Sequence, residues 1–364
     1  MMLNVWWRWV ESAAQLRGRV DDWVLGQKHA LKAAAVCRIG IGLAVLGLLL
    51  ANFSTRDMWV GQASVWAEPA RAISQFPELA LLDGVSPDVL LVIYVLTMLS
   101  SLALVLGWHA KAANVLTFVG FIAIVGQNPV VGWSSDNLVR LTLLWMLLMR
   151  TADSWSLDAA RKARRKAAGT SGARGDDDVL PVWLSTGLHN VGLLALCAQT
   201  ILAYMAAGLD KIADAGWRNG TALYSTMQLP EFRPFPALSD LLSGSTVALA
   251  LLTYGVLLSQ LFFGPLLFNR VTRRIVVLLA LVVNVLLAIV FGLLWSAVGT
   301  IAVTALFVSD RTWQRIEDAV LLTLQPVTDW SVERGYDVLD RFDDVRYRFV
   351  LPAVDWVKFT VLRR

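Results

Sequence analysis

Charge is scarce in this chain. Asp, Glu, Lys and Arg make up 16% of its 364 residues, against about 25% in an ordinary soluble domain. With 364 residues the chain can build one helical bundle plus modest flanking segments, and a second large soluble domain would not fit. Cysteine is scarcer still: Cys37 and Cys197 are the only two. Both sit inside apolar stretches, which excludes a disulfide framework and a thiolate metal site. The three histidines, His29, His109 and His189, lie far apart without metal-ligand spacing and read as structural. There is no glycine-rich phosphate cradle and no nucleophile elbow. Residues 1–32 lack the early apolar core of a secretory signal. The net charge of +4 is small and dispersed, so no nucleic-acid partner is expected.

Apolar length is what the chain has in excess, with 57% hydrophobic residues. Long apolar stretches cover about 33–53, 88–106, 111–127, 136–150, 186–209 and 244–268. Residues 274–309 are too long for one helix and divide at Gly292-Leu293-Leu294-Trp295-Ser296. In a bilayer core each segment must satisfy its own backbone, so each stretch is predicted to be a spanning helix. Basic residues orient the set. Of 32 Lys and Arg, 25 fall in loops on one side, 5 fall on the other, and Arg38 and Arg140 lie within spans. That asymmetry predicts eight spans with both termini in the cytoplasm. Seven spans would place the basic tail outside.

The expected fold is therefore all-α, a polytopic bundle of about eight helices in the plasma membrane. Residues 1–32 read as an amphipathic helix on the cytoplasmic leaflet, or as a soluble cytoplasmic helix. The bundle covers 33–310, interrupted by a flexible basic and acidic linker over 151–181, whose run Arg161-Lys162-Ala163-Arg164-Arg165-Lys166 would be drawn to anionic headgroups. Residues 311–364 form a cytoplasmic amphipathic tail. Gly40 and Ala44 have the small-xxx-small spacing of a close helix contact.

Ionisable groups inside the membrane are costly, so they are the natural site candidates. Asp136 and Arg140 are four apart, at the outer end of the fourth span. They form a helix-end ion pair, or the wall of a cavity that orients an anionic or quinone-like group. Asp210 and Lys211 close the fifth span at the outer surface. Lys211 either snorkels to the headgroups or faces an apolar cavity, where desolvation would let a neutral amine act as a general base. Trp59, Trp66, Trp133, Trp217 and Tyr224 are expected on that same side.

The segment from Tyr204-Met205-Ala206-Ala207-Gly208-Leu209-Asp210-Lys211 through Trp217-Arg218-Asn219-Gly220 to Tyr224 resembles the hallmark Y-x-x-A-G-[LV]-x-K…W-x-x-G of the HTTM family. These are the horizontally transferred transmembrane domain proteins, related to vitamin K-dependent gamma-carboxylase. Three further segments are similar in order: Arg38-Ile39-Gly40, Asp136 through Arg140, and Trp155-Ser156-Leu157-Asp158. In the carboxylase the lysine matching Lys211 is regarded as the base that deprotonates vitamin K hydroquinone. The resemblance thus implies a catalytic role for one position, Lys211; Asp136, Arg140 and Asp210 are the candidate polar groups of a cavity there. It also implies a quinone or hydroquinone at the site. Trp133, Trp217, Tyr224, Arg38 and Asn284 are its binding candidates.

Two departures argue against carboxylation. The family's histidine in the seventh span falls near Asn284, and a histidine is absent around Asn137. No large lumenal region is expected after the eighth span. Bacterial members resembling sporulation-delaying protein B, which helps mature a secreted peptide toxin, are closer in size. Three roles follow in order: a membrane enzyme acting on a quinone or a secreted peptide; a non-catalytic partner, maturation or immunity factor for a peptide or another membrane protein; and a transporter. The last ranks lowest, because the spans lack matched Gly/Pro breaks in two halves.

Overall fold

The structure is a computed structural model that describes residues 15, 17–59, 66, 68–69, 81–82, 85–128, 132, 134–167 and 180–323. Among these residues every regular element is helical. The main helices are α1 (Leu31–Ala51), α2 (Pro87–Leu106), α3 (Ala110–Val125), α4 (Ser134–Met146), α5 (Leu157–Ala167), α6 (Val182–Ala213), α7 (Ala222–Gln228), α8 (Pro236–Ser243), α9 (Thr246–Leu261), α10 (Arg270–Phe291) and α11 (Leu294–Thr304). The chain divides into two compact units, Met1–Asp310 and Arg311–Arg364. The described part of the second, residues 311–323, is helical. The expected tail beyond 323, residues 1–14 and the linker residues 168–179 lie outside the described residues.

Local chemistry sets the helix ends. Pro87, whose missing N–H costs nothing in a first turn, opens α2. The Ser245 hydroxyl accepts from the Ala248 amide at the start of α9, and Asn269 accepts from Val271 at the start of α10. Gly292, at φ +71°, ends α10 in the left-handed conformation that an L side chain resists. The chain restarts as α11 two residues later. The break therefore falls inside the five residues where the sequence divides the 274–309 stretch.

Lipid is the solvent for much of the surface. On α2, Val92, Leu96 and Leu99 are all more than half exposed, and on α10 Ile275, Leu278, Val282 and Ile289 form a similar open row. Such i, i+3, i+4 stripes of large aliphatics would be a liability in water. They are the ordinary exterior of a membrane helix. Among the described residues four helices are long and apolar enough to cross a bilayer: α1, α2, α6 and α10. The pair α8 and α9, bent by 98°, would make a fifth. The segments Ala110–Val125 and Leu294–Phe307 are apolar but shorter. The fourth expected span is shorter too, because α4 stops at Met146 and residues 147–150 turn.

Polar ties hold the helices in order. Tyr94 on α2 donates to the Leu49 carbonyl of α1 (2.7 Å), and Ser100 meets Thr117 of α3 (3.0 Å). Asn114 donates to Leu143 of α4 (3.2 Å). The Trp145 indole donates to Gln199 of α6 (2.6 Å), and Gln199 reaches back to the Leu138 carbonyl (3.5 Å). Away from water such bonds lock register, since a slipped helix would strand both partners.

Candidate functional site

Lys211 sits in the last turn of α6. Tyr204, Gly208 and Lys211 are spaced i, i+4, i+7, so they share one face of that helix. Tyr204 and Gly208 are buried in the bundle, and Lys211 is half-buried on the same stripe. Gly208 lies against the backbone at Leu261, and a Cβ there would come 2.6 Å from the Leu261 nitrogen. The Lys211 Nζ donates to the Ala207 carbonyl (3.4 Å) and lies 5.2 Å from the centre of the Trp217 ring. Among the described residues no carboxylate is within ion-pair distance of it. Its neighbour Asp210 is exposed.

Trp217 is positioned by a cap. The Asp214 carboxylate accepts from the amides of Gly216 and Trp217 (2.7 and 3.4 Å), starting the short helix Ala215–Arg218. The Trp217 ring then packs on the cluster of Leu223, Met227, Leu249 and Leu252. Tyr254 of α9 fastens the same turn by donating to the Arg218 carbonyl (2.8 Å). Tyr224, on α7, is 49% exposed and makes no side-chain contact with Lys211 among those seen.

A cavity of about 140 Å³ lies elsewhere, between α1, α3, α4 and the α10–α11 break. Ala44, Leu48, Phe121 and Trp295 form its apolar wall, and Ser135, Asp136 and Ser296 its polar edge. Lys211 does not line it. Arg140 donates to the side-chain oxygen of Asn137. Trp295 and Ser296 were not among the site residues expected from the sequence. Their signal was their place at the division of the 274–309 stretch, where a broken helix opens space beside its end.

Asn284 belongs to a third polar group. Its amide donates to the Tyr204 hydroxyl (3.2 Å) and to the Ala280 carbonyl (2.7 Å). Tyr204 also meets Thr304 of α11 (2.9 Å) and stacks on Phe263 with ring centres 4.3 Å apart. Tyr204 thus ties α6 to α10 and α11, two turns below Lys211. Its i, i+7 relation to Lys211 was the available sequence signal.

Arg38 is at the other end of the bundle. It is fully buried and donates through Nη1 to Thr151 O (2.8 Å) and through Nη2 to Trp155 O (2.5 Å). Asp158 caps the start of α3, accepting from the amides of His109 and Ala110 (3.0 and 2.9 Å). The Arg-Ile-Gly and Trp-Ser-Leu-Asp segments are therefore one joint between α1, α3 and the turn before α5. They position helices and do not face Lys211. His189 belongs to this end as well. Its Nδ1 accepts from the Arg150 amide (3.0 Å), while Nε2 contacts the His29 carbonyl (2.7 Å), so both ring nitrogens serve structure. Among the described residues no group of His, Cys, Asp and Glu could hold a metal. Trp133 lies outside the described residues.

One protein-family model, that of the HTTM domain, matches residues 27–313. The chain belongs to the HTTM domain family. The match takes in α1 to α11, with Lys211, the cavity and the Arg38 joint all inside the HTTM domain. No solved structure matches the chain. The apolar helices and their lipid-facing stripes fit an integral membrane protein of this family.

Proposed function

We propose that this HTTM protein is a multi-pass enzyme of the plasma membrane, with both termini cytoplasmic. In this reading Lys211 is a base at the non-cytoplasmic end of the bundle. The neutral amine would take a proton from a hydroxyl of a lipid-soluble hydroquinone, leaving its phenolate, or from an acidic group of a secreted peptide. The observation that carries the proposal is the setting of Lys211. It lies on the bundle-facing stripe of α6, beside an aromatic face, with no carboxylate among the described residues within ion-pair distance. A snorkelling lysine would turn to the headgroups. A lysine held charged by a close counter-ion could not accept a proton.

A hydroquinone would have to reach Lys211 from the lipid, along Trp217. The cavity at Asp136 does not include the lysine. At about 140 Å³ it matches the ~150 Å³ void that holds one benzene ring, and falls below the ~300–1,000 Å³ of pockets for larger ligands. The test is oxygen uptake by the chain in lipid nanodiscs supplied with a prenylated naphthohydroquinone, since deprotonation speeds its oxidation by O2. Lys211→Met and Lys211→Arg should each remove about 100-fold or more of any protein-dependent rate, because a guanidinium stays protonated. Full activity in Lys211→Arg would end the base mechanism.

A second reading, a non-catalytic partner for a secreted peptide, is favoured by Asn284. Where the family resemblance expects a histidine, this chain has an amide committed to Tyr204 and Ala280. Retention of a co-purifying secreted peptide by Lys211→Met, with no hydroquinone-dependent uptake in the wild type, would select that role.

A further inference from the structure

Helix α5 carries a basic face that the site does not use. Its sequence, Leu-Asp-Ala-Ala-Arg-Lys-Ala-Arg-Arg-Lys-Ala, puts Arg161, Lys162, Arg164 and Lys166 on one broad side and four alanines on the other. Its first turn is tied down. The Asp158 amide donates to the Gly107 carbonyl (3.1 Å), its carboxylate holds the amides of His109 and Ala110, and the Ser156 hydroxyl accepts from Ala159 (2.9 Å). Arg161 pairs with Asp158 at 3.7 Å. Beyond that turn Ala160, Ala163, Arg164, Lys166 and Ala167 are all exposed, so no described part of the chain covers either face.

The anchor also fixes depth. Residues 107–109 join the ends of the apolar helices α2 and α3, and Trp108 there is 47% exposed. Tryptophan favours the headgroup level. A basic helix leaving from that level, alanines on one face, meets phosphates first.

We propose that α5 is a headgroup-binding helix, docked at its first turn on the α2–α3 corner, that takes anionic glycerophospholipids of the adjoining leaflet. This goes beyond the proposed base chemistry and does not depend on it. The experiment is amide hydrogen exchange on the full chain in nanodiscs of phosphatidylcholine alone or with phosphatidylglycerol, at low and high salt. Amides of 160–167 should exchange about tenfold or more slowly with phosphatidylglycerol. The protection should vanish in high salt and in the quadruple variant Arg161→Gln/Lys162→Gln/Arg164→Gln/Lys166→Gln, while α6 amides stay unchanged and report an intact bundle. Equal exchange in both lipids would overturn the proposal. So would phosphatidylglycerol-independent protection that survives the variant, which would mean a protein surface covers the helix.

Discussion

Replacing Arg38 with Met tests whether the joint at the non-site end holds the bundle. The methionine keeps most of the apolar stem but removes the guanidinium from a fully buried position. Two short bonds are lost, to Thr151 O and Trp155 O, each worth about 1.5–3 kcal/mol as charge-assisted contacts. Both carbonyls lose that donor, the Thr151 one in a buried and the Trp155 one in a part-buried position. Removing a desolvated cation returns part of the cost, leaving a net loss of about 3 kcal/mol. Tryptophan fluorescence in detergent should show a lowered apparent Tm. Amides of 151–158 should exchange about 100-fold faster, since each ~1.4 kcal/mol is a factor of ten. Arg38→Lys should recover less than half of this, because an ammonium lacks the fork that spans two acceptors. An unchanged Tm together with unchanged exchange in the Met variant would refute the reasoning.

Two further substitutions separate packing from chemistry near the lysine. Gly208→Ala forces a Cβ to 2.6 Å from the Leu261 nitrogen, and neither backbone can yield cheaply. A loss of about 1–3 kcal/mol in thermal stability is expected, together with reduced Lys211-dependent oxygen uptake as the end of α6 shifts. Tyr204→Phe removes the bonds to Thr304 and Asn284 but keeps the stack on Phe263. Intramembrane hydrogen bonds average about 0.6 kcal/mol, so the melt should fall only slightly and uptake should stay within a few-fold of wild type.

The apolar stretches announced the helices because nothing else can be built from twenty oily residues in lipid. The break at Gly292 was legible to within a few residues, since a glycine followed by Trp and Ser interrupts an otherwise aliphatic run. Helix ends were less so: α6 outlasts its apolar core at both ends, because Asp210 and Lys211 extend it without a stop signal before Ala213. The fate of the Arg161–Lys166 run was hidden for a different reason. Its composition suits a solvated linker, and only Asp158, reaching 48 residues back to Ala110, starts it as a helix against the bundle. Lys211 stood out in the sequence, but its partners did not. Trp217 reaches it through a cap on Asp214, and Asp136 and Arg140, expected beside it, are occupied at a separate cavity and with Asn137. Such pairings depend on how helices pack, which periodicity does not encode.

The orientation of Lys211 carries the functional reading, and it can be measured directly. In a variant with Cys37 and Cys197 replaced by Ala, single cysteines at Asn219 and at Ser171 are exposed in turn to a membrane-impermeant maleimide on intact cells. The eight-crossing arrangement expects labelling at 219, eight residues past Lys211, and none at 171 until the cells are opened. Labelling at 171 on intact cells, with 219 silent until lysis, would place the lysine in the cytosol and contradict the proposed site.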